Sequence, residues 1–149
     1  TIGDLAGPMA FAILMGSSRA FYGKFGDKIN LERFMQYSAV LCMVSYLMIA
    51  FIPVPALGIL GCAVCGLSVG IMWPGTFSMA AASVKRGGTA LFALLALAGD
   101  VGCSSGPTYV GMISGALNDN LKLGIFAALI FPVLMIMGIK MIGSLQKYD

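Results

Sequence analysis

From Phe34 to Val84 this chain carries not one charged side chain. Leu5 to Ser18, Gly88 to Gly99 and Leu123 to Ile139 are equally bare. Such runs constrain the fold more than any motif, because an apolar helix of about 20 residues matches the ~30 Å hydrocarbon layer of a bilayer. In that layer the backbone must satisfy its own polar groups, which only helices and closed barrels achieve. The runs lack the strict alternation of barrel strands, so helices are predicted. Only 10% of the residues are charged and the mean hydropathy is +0.95, whereas a soluble domain has roughly a quarter of its residues charged. An all-α, polytopic membrane helix bundle is therefore expected.

Proline, glycine and charge divide the chain into five predicted spans, about 5–22, 34–52, 57–84, 89–115 and 121–142, with a tail at 143–149. Pro53-Val54-Pro55 closes the second span, Lys85-Arg86-Gly87-Gly88 makes a basic turn after the third, and Asn118-Asp119-Asn120 turns the chain after the fourth. The turns after spans one, three and five hold Lys24, Lys28, Arg33, Lys85, Arg86, Lys140 and Lys147, against Lys122 alone on the other face. Basic residues collect on the cytoplasmic side of membrane proteins, so the C-terminus is expected in the cytoplasm and Thr1 outside. The first residues lack the basic stretch of a secretory leader, so no cleaved signal peptide is expected. Four cysteines without a histidine argue against a metal site. Cys62 and Cys65 lie inside an apolar run and read as small packing residues.

Helices that pack closely in lipid place small residues four apart. Gly66 and Gly70 do so in the third span, Gly102 with Gly106 and Gly111 with Gly115 in the fourth, and Ala12, Gly16 and Ala20 in the first. Spans two and five lack such seams and are apolar on nearly every side. They are expected to form an outer, lipid-facing layer.

Six of the fifteen charges crowd between Arg19 and Arg33. There Gly23-Lys24-Phe25-Gly26-Asp27-Lys28 leaves one helix and leads to another. This resembles the signature loop of the major facilitator superfamily, G-x-x-x-D-[RK]-x-G-[RK]-[RK]. Gly23, Asp27 and Lys28 match; Asn30 stands where the second glycine is usual, and Leu31 and Glu32 replace the basic pair. Gly102-Cys103-Ser104-Ser105-Gly106-Pro107 is similar to the family's glycine-proline motif. The wording "GIMWPGTFSMAA" followed by "GDVGCSSGP" is similar to fucose-permease-like sugar carriers of that superfamily. The resemblance implies helices eight to twelve of a twelve-helix carrier, with the N-terminal half and one further span belonging to a longer chain. It also implies a gating loop, in which Gly23 and Gly26 permit a tight exit and close approach of a neighbouring helix, and Asp27, beside Lys28, latches onto a helix N-terminus; the alternative is a solvated turn whose basic residues only set topology. Arg19, one turn before the exit, is expected to snorkel to the cytoplasmic interface, with a gate salt bridge as the alternative.

Two places promise chemistry. Asp100 falls near the middle of span four, where an acidic residue costs about 2.5–3.5 kcal/mol on insertion scales and faces protein or water. Ser104, Pro107, Gly111 and Ser114 continue its face. Asp100 is expected to carry or sense a coupling proton or to hydrogen-bond a substrate, the alternative being a structural acid. The second place is Trp73-Pro74. Proline withdraws an N–H and leaves the carbonyl near Gly70 unpaired within the helix, bending it. Trp73 offers a ring for stacking on a sugar and one N–H donor, or else simply packs. Pro107 and Pro132 are expected to kink their spans likewise.

With the resemblance, these residues imply secondary active transport of a small polar solute such as a sugar, by alternating access and coupled to protons. The expected partners are the bilayer, the solute, protons and the remainder of the carrier. No cofactor, metal or nucleic acid is expected, and no nucleophile–base pair suggests an enzyme. The competing expectation is a small non-transporting membrane subunit or scaffold of a larger complex.

Overall fold

The computed structural model describes residues 2–84 and 87–145. Among them there is no strand. The helices are α1 (Ile2–Phe25), α2 (Leu31–Phe51), α3 (Pro55–Val69), α4 (Met72–Ser83), α5 (Gly88–Ala116), α6 (Leu121–Ala127) and α7 (Ile130–Leu145). α3 and α4 are one span, Pro55–Ser83, interrupted near its middle, and α6 with α7 form another, Leu121–Ser144. These two, with α2 and α5, are long and apolar enough to cross a membrane. The 24 residues of α1 supply the length, about 36 Å at 1.5 Å per residue. Arg19 and the glycines and serines of α1 dilute its apolarity. The molecule is thus consistent with a multi-pass membrane protein. Lys85, Arg86 and Lys147, part of the predicted basic side, lie outside the described residues.

Local chemistry sets the ends. Asn30 caps α2, its Oδ1 accepting the Arg33 backbone N–H at 3.1 Å. Pro55 opens α3, where its missing N–H is not needed. Asn118 and Asp119 both adopt φ of 57°, a left-handed turn that these two residue types tolerate better than most.

Side-chain pairings show how the helices thread. α1 runs parallel to α3, with Gly7 near Cys62, Phe11 against Gly66, and Met15 against Gly70. α2 runs antiparallel to both halves of the broken span, with Ser45 by Gly61 and Met35 by Gly75. Phe77 stacks on Phe92 to set α5 antiparallel to α4, and Val110 meets Gly124 to set α6 antiparallel to α5. Glu32 lies against Gly143, which closes α7 onto α2. The order is a plain up-and-down bundle, and Lys24, Lys28, Arg33 and Lys140 share one end of it. At that end Met35, Met79 and Ile139 form the apolar core.

The layering differs from expectation. α2, predicted to face lipid, buries Met35, Ser38, Ala39, Cys42, Ser45 and Ala50 against α3, α4, α6 and α7. Its serines and cysteine act as the small residues of close packing, because each serine hydroxyl can bond back to its own helix; Ser45 donates to the Cys42 carbonyl at 2.7 Å. Cys42 and Cys65 are buried as packing residues. α5, which carries glycine pairs expected to pack closely, buries only Ser114 among the described residues.

The glycine seams divide the same way. A methyl at Gly66 would meet the Phe11 Cα at 2.8 Å, and one at Gly70 the Met15 oxygen at 2.8 Å. Backbone therefore lies on backbone between α1 and α3, as only glycine permits. By contrast, a methyl at Gly16, Gly102, Gly106, Gly111 or Gly115 would meet nothing within 4 Å. The predicted Ala12–Gly16–Ala20 seam is open too, because glycine on α3 alone brings the helices together and α1 supplies Phe11 and Met15.

Candidate functional site

Pro74 cannot donate to the carbonyl four residues earlier, that of Gly70, and the helix is interrupted there: α3 ends at Val69 and α4 begins at Met72. The orphaned oxygen is met from another helix. Arg19 donates from Nε to the Gly70 carbonyl at 3.1 Å. Gly70 also ends α3, where the partial negative charge of the helix terminus favours a cation. Arg19 therefore does not reach for the nearby helix end. Side chains on a helix lean toward its N-terminus, so the guanidinium is directed away from the interface and back toward the break.

The second interrupted span solves the same defect internally. Pro132 deprives the Ala128 carbonyl, which instead accepts the Phe131 N–H at 3.1 Å, and the Ala128 N–H is shared between the Gly124 and Ile125 carbonyls at 3.1 Å each. This tight turn separates α6 from α7. Pro107 does neither, and α5 runs through it unbroken.

Depth makes the first break notable. Gly70 stands near the middle of the Pro55–Ser83 span, about 20 Å from either end. Trp73 lies one turn further and its ring sits on Gly99, leaving no room for a side chain there. Asp100 is the next residue. Arg19, the Gly70 carbonyl, Trp73 and Asp100 thus occupy one layer at half depth, although they come from three different spans.

Two members of that layer look outward. Ala12, Gly16 and Arg19 follow at i, i+4 and i+7 on one exposed stripe of α1. On α5, Asp100, Ser104, Pro107 and Gly111 are exposed, while Ser114, the last residue of the predicted stripe, is covered by α6 at Gly124. The Ser104 hydroxyl donates to the carbonyls of Asp100 at 2.9 Å and Val101 at 3.1 Å, so its proton is held by its own helix and its lone pairs are what it can offer. Thr108 likewise donates to the Ser104 carbonyl at 2.7 Å.

Trp73, 46% exposed, also joins a cavity of about 360 Å³ between α2, α4 and α7. Tyr46, Cys42, Thr76, Phe131 and Pro132 are among the residues of its wall, with Val69 at the end of α3. Both breaks open onto this space, Val69 and Met72 from the first and Phe131 and Pro132 from the second. Tyr46 and Thr76 escaped the sequence reading, because an isolated tyrosine or threonine in an apolar run carries no periodic signal. Trp73 packs on Phe77 at 4.8 Å, which extends an aromatic row toward Phe92.

The loop from Gly23 to Lys28 is a tight exit. A single turn of 3-10 helix spans Gly26–Lys28, closed by the Ile29 N–H on the Gly26 carbonyl at 3.1 Å. Of the two loop glycines, Gly26 is covered and Gly23 is open: the Tyr22 ring lies 3.1 Å from where a methyl at Gly26 would stand, and that ring stacks on Phe34. Gly23 and Lys28 are exposed, and the side chain of Asp27 lies outside the described residues.

Compared with protein-family models, curated proteins and solved structures, the chain matches none. What the geometry establishes is coarser than a family. The described residues form helices without strands, several apolar and of membrane-crossing length, and they hold a cation and an acid level with the middle of the Pro55–Ser83 span on exposed faces.

Proposed function

We propose that these helices belong to a secondary transporter of the major-facilitator kind, moving a small polar solute such as a sugar across the cell membrane by alternating access. The observation that carries this is the half-depth layer. A guanidinium and a carboxylate exposed on the open, small-residue stripes of α1 and α5 cannot face hydrocarbon without great cost, and such residues mark solute or ion pathways. In this proposal the remainder of the carrier stacks across those stripes, and solute passes between the two parts with Asp100 carrying or sensing a coupled proton. The cation-rich end lies in the cytoplasm with the C-terminus. The loop through Gly23, Asp27 and Lys28 forms and releases a contact there as the parts rock.

Water access tests it. Single cysteines at Ser104 and Gly111 of the intact carrier, in a background with Cys42, Cys62, Cys65 and Cys103 replaced, should react with a membrane-impermeant maleimide in one conformational state and be shielded in the other. A non-transporting subunit would have these faces covered permanently by its partner. Absence of labelling in every state would therefore remove the transport proposal.

A further inference from the structure

We propose that the transported solute carries an anionic group, a carboxylate or phosphate, and that the Arg19 guanidinium is the residue that takes it. This rests on the transport proposal and names its substrate class. Arg19 spends its Nε on the Gly70 carbonyl, and that bond fixes the plane of the guanidinium. The two terminal nitrogens have no hydrogen-bond or carboxylate partner among the described residues. They form the fork that grips oxyanions with two parallel bonds. Room for a ligand exists beside it: Gly16 and Ala12, one and two turns earlier on the same stripe, are exposed, and nothing lies within 4 Å of a methyl at Gly16. A lasting positive charge at half depth, with only its Nε donor matched among the described residues, is costly unless an anion or water meets it.

The experiment uses the complete carrier in detergent and in proteoliposomes. The probes are glucuronate, glycerate and glycerol 3-phosphate, each beside its uncharged counterpart, glucose or glycerol. At least one anion should raise the melting temperature and no counterpart should. Arg19→Gln keeps an N–H for the Gly70 carbonyl but loses the charge, so its unliganded melting temperature should stay near that of the parent. Its affinity for the stabilising anion should fall more than about tenfold, and Arg19→Lys should recover part of it. The inference is overturned if no anion shifts the melting of the parent, or if the anion stabilises Arg19→Gln equally. Counterflow separates the two proposals. An anion that binds through Arg19 without counterflow supports the site and sinks transport. Counterflow of uncharged solutes alone, unchanged in Arg19→Gln, keeps transport and sinks the anion site.

Discussion

Arg19 and Gly70, 51 positions apart, are joined by a hydrogen bond from the guanidinium Nε to the backbone carbonyl at 3.1 Å. The bond exists because Pro74 lacks the N–H that would otherwise occupy that oxygen. One side chain thereby repairs a defect that another creates, and the repair holds a charge at half depth.

That dependence is measurable as a coupling. Arg19→Met should destabilise the bundle by about 1–3 kcal/mol, the cost of an orphaned buried carbonyl and a lost charged hydrogen bond. Pro74→Ala restores the missing donor, so in that background Arg19→Met should cost less than about half as much. Thermal unfolding of the four proteins in detergent reads the cycle, and strictly additive effects would disprove the link.

The two classes of glycine should respond oppositely. Gly66→Ala forces α1 off α3 and should cost about 1–3 kcal/mol, since backbone cannot yield as a side chain does. Gly106→Ala, with nothing near it, should leave the melting of this chain unchanged or raise it by up to about 1 kcal/mol through helix propensity. Equal losses in both variants would contradict the packing described.

Asp100→Asn removes a titratable proton while keeping size and hydrogen-bonding capacity. In the intact carrier, solute uptake driven by a pH gradient should drop to the equilibrium level while solute–solute exchange continues. Uphill uptake at the parent rate would deny Asp100 its coupling role.

Trp73 is the single tryptophan of this chain. Its emission in bilayers should be quenched most strongly by lipids brominated deep in the acyl chains, and least by those brominated near the headgroup. Gly99→Leu would push the ring from its seat and should shift the emission maximum. Strongest quenching from shallow bromines would remove Trp73 from the half-depth layer.

Much of this architecture was legible residue by residue. The spans predicted at 34–52, 89–115 and 121–142 lie within about three residues of α2, α5 and the α6–α7 pair, because charge scarcity and turn-forming residues are local properties. The interruption at Pro74 was readable for the same reason, and so was the turn at Asn118 and Asp119. The layering was not readable. Counting glycines placed α5 inside and α2 outside, yet a small residue creates a close contact only when another helix lies opposite. Gly66 and Gly70 have α1 opposite them; Gly102 and Gly106 have open space.

Arg19 marks the boundary between the two kinds of knowledge. Its position near the end of an apolar run suggested the interface, because sequence records distance along the helix and not which neighbour stands within reach. The amino-acid order by itself determined that the chain is helical, that its helices match a bilayer, that most of its cations fall in the turns expected on one side and that Pro74 breaks its span near the middle. Only the tertiary structure decided which helix is central, which seams are filled and that a guanidinium completes the broken span. Those outcomes depend on contacts between residues tens of positions apart, which no local preference encodes.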